Sequence, residues 1–305
     1  MKRETSILHA GQRFDPTTGA ISAPIYQSSA FAFESVDQAA NVFDLKEPGR
    51  TYSRLMNPTN DIFESRIASF EGGVGALSTS SGQAAITYAI LNIAEAGDNI
   101  VSSNRLYGGT WHLLAHTMRR LGIETRFVNP DAPNDFLEAS DEKTKCFFLE
   151  GIPNPMLTPI PVREIAEISR SLGLPTIVDN TITPYIASPF NLGVDIVVYS
   201  TTKFIGGHGN TIGGCVVDSG NFDWEKNQDR FPLMCEPDPS HGNILWLDAA
   251  KELGGEYGQS PYLLKMRNTI QRDIGACPSP FSSFLLLQGL ETLPMRMKKH
   301  CENAA

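Results

Sequence analysis

Short apolar runs alternate with stretches of helical period along most of this chain, and that rhythm predicts its architecture. Runs rich in Val, Ile and Phe, bounded by Gly, Pro or Asn, predict strands at residues 76–80, 99–103, 124–128, 146–150, 175–179, 195–200 and 214–218. Helical spacing between them predicts helices over 60–71, 82–94, 110–121 and 161–172. A strand–helix–strand rhythm implies βαβ units, hence a mostly parallel sheet whose ligands sit at the carboxyl ends of the strands.

The two ends of the chain read differently. The first sixty or so residues lack regular periodicity, apart from a short helix over 35–43 capped by Ser35. Residues 47–59 read as an extended arm, a feature that usually serves a partner subunit or a ligand. After Gly220 the sheet signal fades. Residues 222–258 are loop-rich and helices resume over 261–274. Residues 282–303 form one long helical pattern, with Leu286, Leu290, Leu293 and Met297 on its apolar face.

Composition narrows the class. Lys+Arg 25 against Asp+Glu 34 gives a net charge of −9, which argues against a nucleic-acid surface or an anionic membrane as partner. No run reaches the ~18–20 apolar residues of a membrane helix, and no apolar stretch follows the basic start as in a signal peptide. The cysteines Cys146, Cys215, Cys235, Cys277 and Cys301 are odd in number and widely spaced, which fits a reduced, cytoplasmic protein. No metal site is expected. His112 and His116 lie one helical turn apart, but no third ligand accompanies them.

Three segments carry candidate chemistry. Ser-Thr-Ser-Ser-Gly-Gln-Ala at 78–84 joins a strand to a helix, so it is either a serine-capped helix start or an anion site built on free amides. Ser-Thr-Thr-Lys-Phe-Ile-Gly-Gly-His-Gly at 200–209 places Lys203 at a strand end among hydroxyls and glycines. That suits a Schiff-base amine in a partly desolvated pocket as well as an ordinary loop lysine. Asp179 ends a buried strand, where it can cap a turn or hold the ring nitrogen of a pyridine cofactor protonated.

Together, in this order, the three segments make the chain resemble the Cys/Met-metabolism family of pyridoxal-phosphate (PLP) enzymes of fold type I, over nearly its whole length. The resemblance implies an α/β fold, the large domain of an aspartate aminotransferase-like PLP-dependent transferase, with a mostly parallel mixed sheet flanked by helices. It implies pyridoxal 5'-phosphate as cofactor, bound covalently by Lys203, with Asp179 on the pyridine nitrogen. The amides of Gly82 and Gln83 and the hydroxyls of Ser200 and Thr202 would hold the phosphate. Gln83 stands where Met is more usual, which matters little if the ligand is the backbone amide. Tyr107, in Leu-Tyr-Gly-Gly-Thr at 106–110, would stack on the ring and assist proton transfer. Asn154, in Glu-Gly-Ile-Pro-Asn-Pro at 150–155, would lie near the cofactor's O3′ and the substrate carboxylate. Tyr52 and Arg54 match a pair that reaches a neighbouring subunit's phosphate. They imply a homo-oligomer, a tetramer built of dimers that share active sites.

Within the family, residues 206–214, 219–224, 236–240 and 284–289 are similar to the O-acetylhomoserine sulfhydrylases. That implies γ-replacement: O-acetylhomoserine plus a sulfur donor giving homocysteine and acetate, in methionine biosynthesis. A methionine or cystathionine γ-lyase, or a cystathionine γ-synthase, would share the same residues. The non-enzymatic reading is an α/β domain that binds some other phosphate ligand. The resemblance divides the chain into an arm (1–60) that contacts a neighbouring subunit, a cofactor domain (61–260), and a helical connection (261–305) to a C-terminal domain absent or truncated here. A chain so ended is expected to hold cofactor better than it turns over substrate.

Overall fold

The computed structural model describes residues 2–254 and 260–305. Residues 255–258 of the predicted loop-rich stretch, and Met1, lie outside the described residues.

All seven predicted strands form, within two residues of their expected bounds: β1 Gly75–Thr79, β2 Asn99–Ser103, β3 Glu124–Val128, β4 Thr144–Glu150, β5 Thr176–Asp179, β6 Ile196–Tyr199 and β7 Gly214–Asp218. They make one sheet in the order β1-β7-β6-β5-β4-β2-β3. β7 is antiparallel to both its neighbours and every other pairing is parallel. β1 therefore runs with β2–β6. Every residue of β2, β4, β6 and β7 is buried, as it must be when helices cover both faces of a sheet.

Local chemistry sets the helix ends. Asn57 accepts the amide of Thr59 at 3.0 Å, Pro58 fills the first helical position, and Gly72 closes the helix Pro58–Glu71 at φ 86°. Ser35 caps Val36–Phe43 as expected, through the amide of Gln38.

The expectation of one helix over 282–303 is wrong. The chain forms Pro280–Glu291 and Leu293–Ala304, parted at Thr292. Pro294 has no amide to give the preceding turn and its ring crowds the carbonyl there, so the helix breaks although the apolar period continues. Leu286, Leu290, Leu293 and Met297 are all buried in spite of the break. Among the described residues, α-helices also arise where periodicity predicted none, at Arg3–His9, Asn134–Glu138, Pro232–Cys235 and Trp246–Leu253. The first packs on Pro58–Glu71, where Arg3 donates to Phe70 O at 2.9 Å and to Tyr185 O at 2.8 Å.

Beneath the sheet lies a buried polar cluster. Tyr199 donates to Glu71 Oε2 and accepts from Asn180 Nδ2, both at 2.8 Å, and Arg3 stands 3.8 Å from Glu71. Burial pushes the Glu71 carboxyl up to about 7, while the Tyr199 bond and Arg3 pull it down. A carboxyl raised above its unfolded value contributes stability at low pH that is lost as pH rises through the folded value. Between pH 4.5 and 7 the native protein will therefore lose about 3 kcal/mol relative to Glu71→Gln, because each pH unit separating the folded from the unfolded value is worth ~1.36 kcal/mol. Urea unfolding of both proteins across that window measures this. Parallel curves would contradict it.

Candidate active site

At one edge of the sheet the chain turns out of β1, β2, β4, β5 and β6, and these turns line a single cleft of about 670 Å³. The parallel arrangement is what gathers them, because each strand delivers its carboxyl end to the same side.

After β1, Ser81 caps the helix Gly82–Leu91. Its Oγ takes the amide of Ala84 at 3.2 Å and its carbonyl the amide of Ala85 at 3.1 Å. The amides of Gly82 and Gln83 precede the first intrahelical bond and form the positive end of the helix dipole. The Gln83 side chain is tied to Thr110 Oγ1 at 3.0 Å, leaving its backbone as the group offered. Gly82 is required by close approach. A Cβ there would lie 2.6 Å from Ser200 Cβ and 2.8 Å from Ser200 Cα. Gly82→Ala will push the helix start off β6 and raise the dissociation constant of the pyridoxal phosphate that the resemblance implies by about tenfold or more, whereas Gln83→Ala will change it little. Absorbance titration with pyridoxal phosphate tests the pair, and equal affinities would contradict it.

After β5 and β6, one hydroxyl joins the two strand ends. Thr181 Oγ1 donates to Asp179 Oδ1 at 2.5 Å and accepts the Ser200 amide at 2.8 Å, and the Thr181 amide adds a bond to the same oxygen at 2.9 Å. Asp179 Oδ2 carries no hydrogen bond among the described residues. Burial pushes the Asp179 carboxyl up and the two Thr181 bonds counter it. Lys203 is exposed to the cleft, with no carboxylate in ion-pair range among the described residues. Thr202 Oγ1 donates to Gly213 O at 3.1 Å and accepts from Gly213 N at 3.0 Å, so its one proton is already engaged. His208 Nδ1 donates to Gly206 O at 2.7 Å, a bond internal to the lysine loop.

After β2 and β4 come Tyr107 and Asn154. Tyr107 lies half exposed at the cleft, immediately before the short helix Gly108–His112. Both backbones are held by Glu150, which accepts Tyr107 N–H at 2.7 Å and Asn154 N–H at 3.3 Å.

Eight of the ten predicted site residues thus line one cleft: Gly82, Gln83, Tyr107, Asn154, Asp179, Ser200, Thr202 and Lys203. Tyr52 and Arg54 do not line it. Tyr52 is exposed, with the Arg54 guanidinium 5.1 Å over its ring, while Gln271 Nε2 holds Arg54 O at 2.7 Å. Periodicity and motifs did not single out Thr181, Arg296 or His300. Arg296 donates to Phe204 O at 2.6 Å, Ile205 O at 3.2 Å and Gly289 O, clamping the loop after Lys203 to the helix break. His112 and His116 stack at 5.6 Å beside Trp111. Among the described residues no group of three His, Cys, Asp or Glu side chains could hold a metal ion.

Residues 4–305 match the family described as Cys/Met metabolism PLP-dependent enzyme. The chain belongs to that family. Homocysteine synthase of Schizosaccharomyces pombe is 47% identical over 303 residues, spanning 99% of this chain and 69% of that protein. O-acetyl-L-homoserine sulfhydrylase of Leptospira meyeri is 45% identical over 307 residues, again 99% and 69%. Among solved structures, one described as an O-acetylhomoserine (thiol)-lyase of Campylobacter jejuni, with a pyridoxyl group on a lysine, superposes with TM-score 0.93 at 39% identity. The match covers 100% of this chain and 73% of that one. Cystathionine gamma-lyase from Lactobacillus plantarum superposes with TM-score 0.76 at 31% identity, covering 97% and 65%.

The family's cofactor is pyridoxal phosphate, and this site fits it. Two unbonded amides at a helix start can take a phosphate, a lysine amine can take the aldehyde, and a carboxylate with one oxygen free can take the ring nitrogen.

Proposed function

We propose that this enzyme performs γ-replacement on an O-acylated homoserine, joining O-acetylhomoserine with sulfide to give homocysteine and acetate in methionine biosynthesis. The observation that carries this is the gathering of Lys203, Asp179, Tyr107 and Asn154 about one cleft in a chain more than 40% identical to homocysteine-forming enzymes. Bound there, pyridoxal phosphate supplies an electron sink for negative charge on the substrate carbons near the amine.

The chain's own residues do the rest. Lys203 Nζ holds the cofactor, then takes the proton from the substrate's Cα and later returns one. Asp179 Oδ2 keeps the ring nitrogen protonated. Gly82, Gln83, Ser200 and Thr202 hold the phosphate, with the Thr202 hydroxyl turning away from Gly213 to do so. Tyr107 supports the ring face and moves a proton at the leaving oxygen. Asn154 orients the substrate.

Residues 61–260 act as the cofactor domain and 261–305 as the helical connection leading on from it. The arm within 1–60 reaches a neighbouring subunit, placing Tyr52 and Arg54 on that subunit's phosphate. That neither lines this chain's own cleft supports that reading, as do Phe14, Ile21 and Val36, each 70% exposed or more. The assembly is a tetramer built of two such dimers, and sedimentation at the mass of one chain or of two would refute it. The compartment is cytoplasmic, supported by five cysteines that are all free. No described helix is long and apolar enough to cross a membrane.

Product analysis tests the reaction. O-acetylhomoserine with sulfide will give homocysteine. Cystathionine formed in preference when cysteine is added marks a γ-synthase, and ammonia released without any sulfur donor marks a γ-lyase.

A further inference from the structure

We propose that Glu150 is a positioning residue for this reaction, its carboxyl locking the backbones of Tyr107 and Asn154 together so that both side chains meet the cofactor from fixed directions. The inference rests on the cofactor reading above and adds a residue to it.

Glu150 ends β4 and is 5% exposed. Its two oxygens are divided. Oε1 takes the amide that opens the turn after β2, and Oε2 takes the amide of the loop after β4 itself. One side chain therefore cross-links two adjacent turns of the cleft. No cation pairs with it among the described residues. Its register partner on β5 is Asp179, so the nearest charge is a like charge. Lys203, Arg296, His300 and the Tyr107 phenol are the other titratable groups on the cleft wall. Burial, then Asp179, push Glu150 up to about 8, while the two amides pull it down. The two amides are what offset burial and the like charge of Asp179 at this carboxyl, so the cross-link is the interaction that fixes its position.

The chemistry predicts which substitutions matter. Glutamine has the same shape but one acceptor oxygen, so it can keep one of the two amides and must turn an NH₂ toward the other. Alanine keeps neither. A displacement of about 1 Å in a reacting group can lower turnover by about 100-fold while leaving binding largely intact.

The test uses the cofactor-loaded native protein, Glu150→Gln and Glu150→Ala. Borohydride reduction first establishes that each carries cofactor on lysine. Visible circular dichroism of the bound cofactor, which reads how asymmetrically the ring is held, is then recorded, followed by kcat and KM. The expected result is retained borohydride-reducible cofactor, loss of most of the visible dichroic band in both variants, and a fall in kcat that exceeds any rise in KM. A native dichroic band with native kcat in Glu150→Gln would overturn the proposal, and that variant serves even if Glu150→Ala fails to fold. Absence of reducible cofactor from the native protein would instead overturn the cofactor reading beneath it.

Discussion

Lys203→Ala will lose the absorbance of the lysine-bound cofactor and at least about 10³-fold in turnover, the scale of a lost general base. Lys203 carries two duties, since its amine both attaches the cofactor and moves the Cα proton. Among the described residues no other lysine lines the cleft. The phosphate site does not depend on it, because the amides of Gly82 and Gln83 are fixed by the Ser81 cap. The variant will therefore still bind pyridoxal phosphate, reversibly and more weakly. Spectrophotometry before and after borohydride and dialysis separates these states. A variant whose cofactor resists dialysis after borohydride would show that another amine does the work.

Asp179→Asn should bind cofactor nearly as well as the native protein yet lose about 10³-fold in turnover, on the scale of a lost preorganised charge in a water-poor site. Asparagine is the same size and its oxygen can keep both Thr181 bonds, so the strand ends should not move. What it lacks is the negative charge that holds the ring nitrogen protonated. The cofactor-free protein should respond in the opposite sense. Asp179 is raised by burial, so its ionised form weakens the fold as pH rises through its folded value. Asp179→Asn should therefore be at least as resistant to heat as the native protein at neutral pH without cofactor. Near-normal turnover would refute the electron-sink role, and a large loss of heat resistance would show that the carboxylate is structural.

The strands were legible because a parallel sheet buries both faces, leaving short apolar runs such as Ile196–Tyr199 that little else explains. The cleft was legible for the same reason. Lys203, Asp179 and Gly82 sit at or just beyond the ends of such runs, among hydroxyls and glycines, and although each segment alone has an ordinary structural reading, the three in this order carry the family resemblance. Other features depend on contacts between distant residues, which no local pattern records. Arg296 reaches Phe204 across 92 residues, and Arg3 reaches Tyr185 across 182. Glu150 was visible as the first residue of a motif, but its work became apparent only when Tyr107, 43 residues earlier, was seen on its oxygen. The broken C-terminal helix was a conflict between two readable signals. The period of Leu286, Leu290, Leu293 and Met297 continued through Pro294, and the backbone constraint of proline prevailed.

The proposed reaction turns on Lys203 bearing the cofactor. Its most direct test is borohydride reduction of the loaded protein, tryptic digestion and mass spectrometry. Trypsin cannot cut at a modified lysine, so the expected result is a single peptide spanning residues 171–226 that carries one pyridoxyl phosphate. Separate unmodified peptides 171–203 and 204–226, with the label on another lysine or on none, would contradict it.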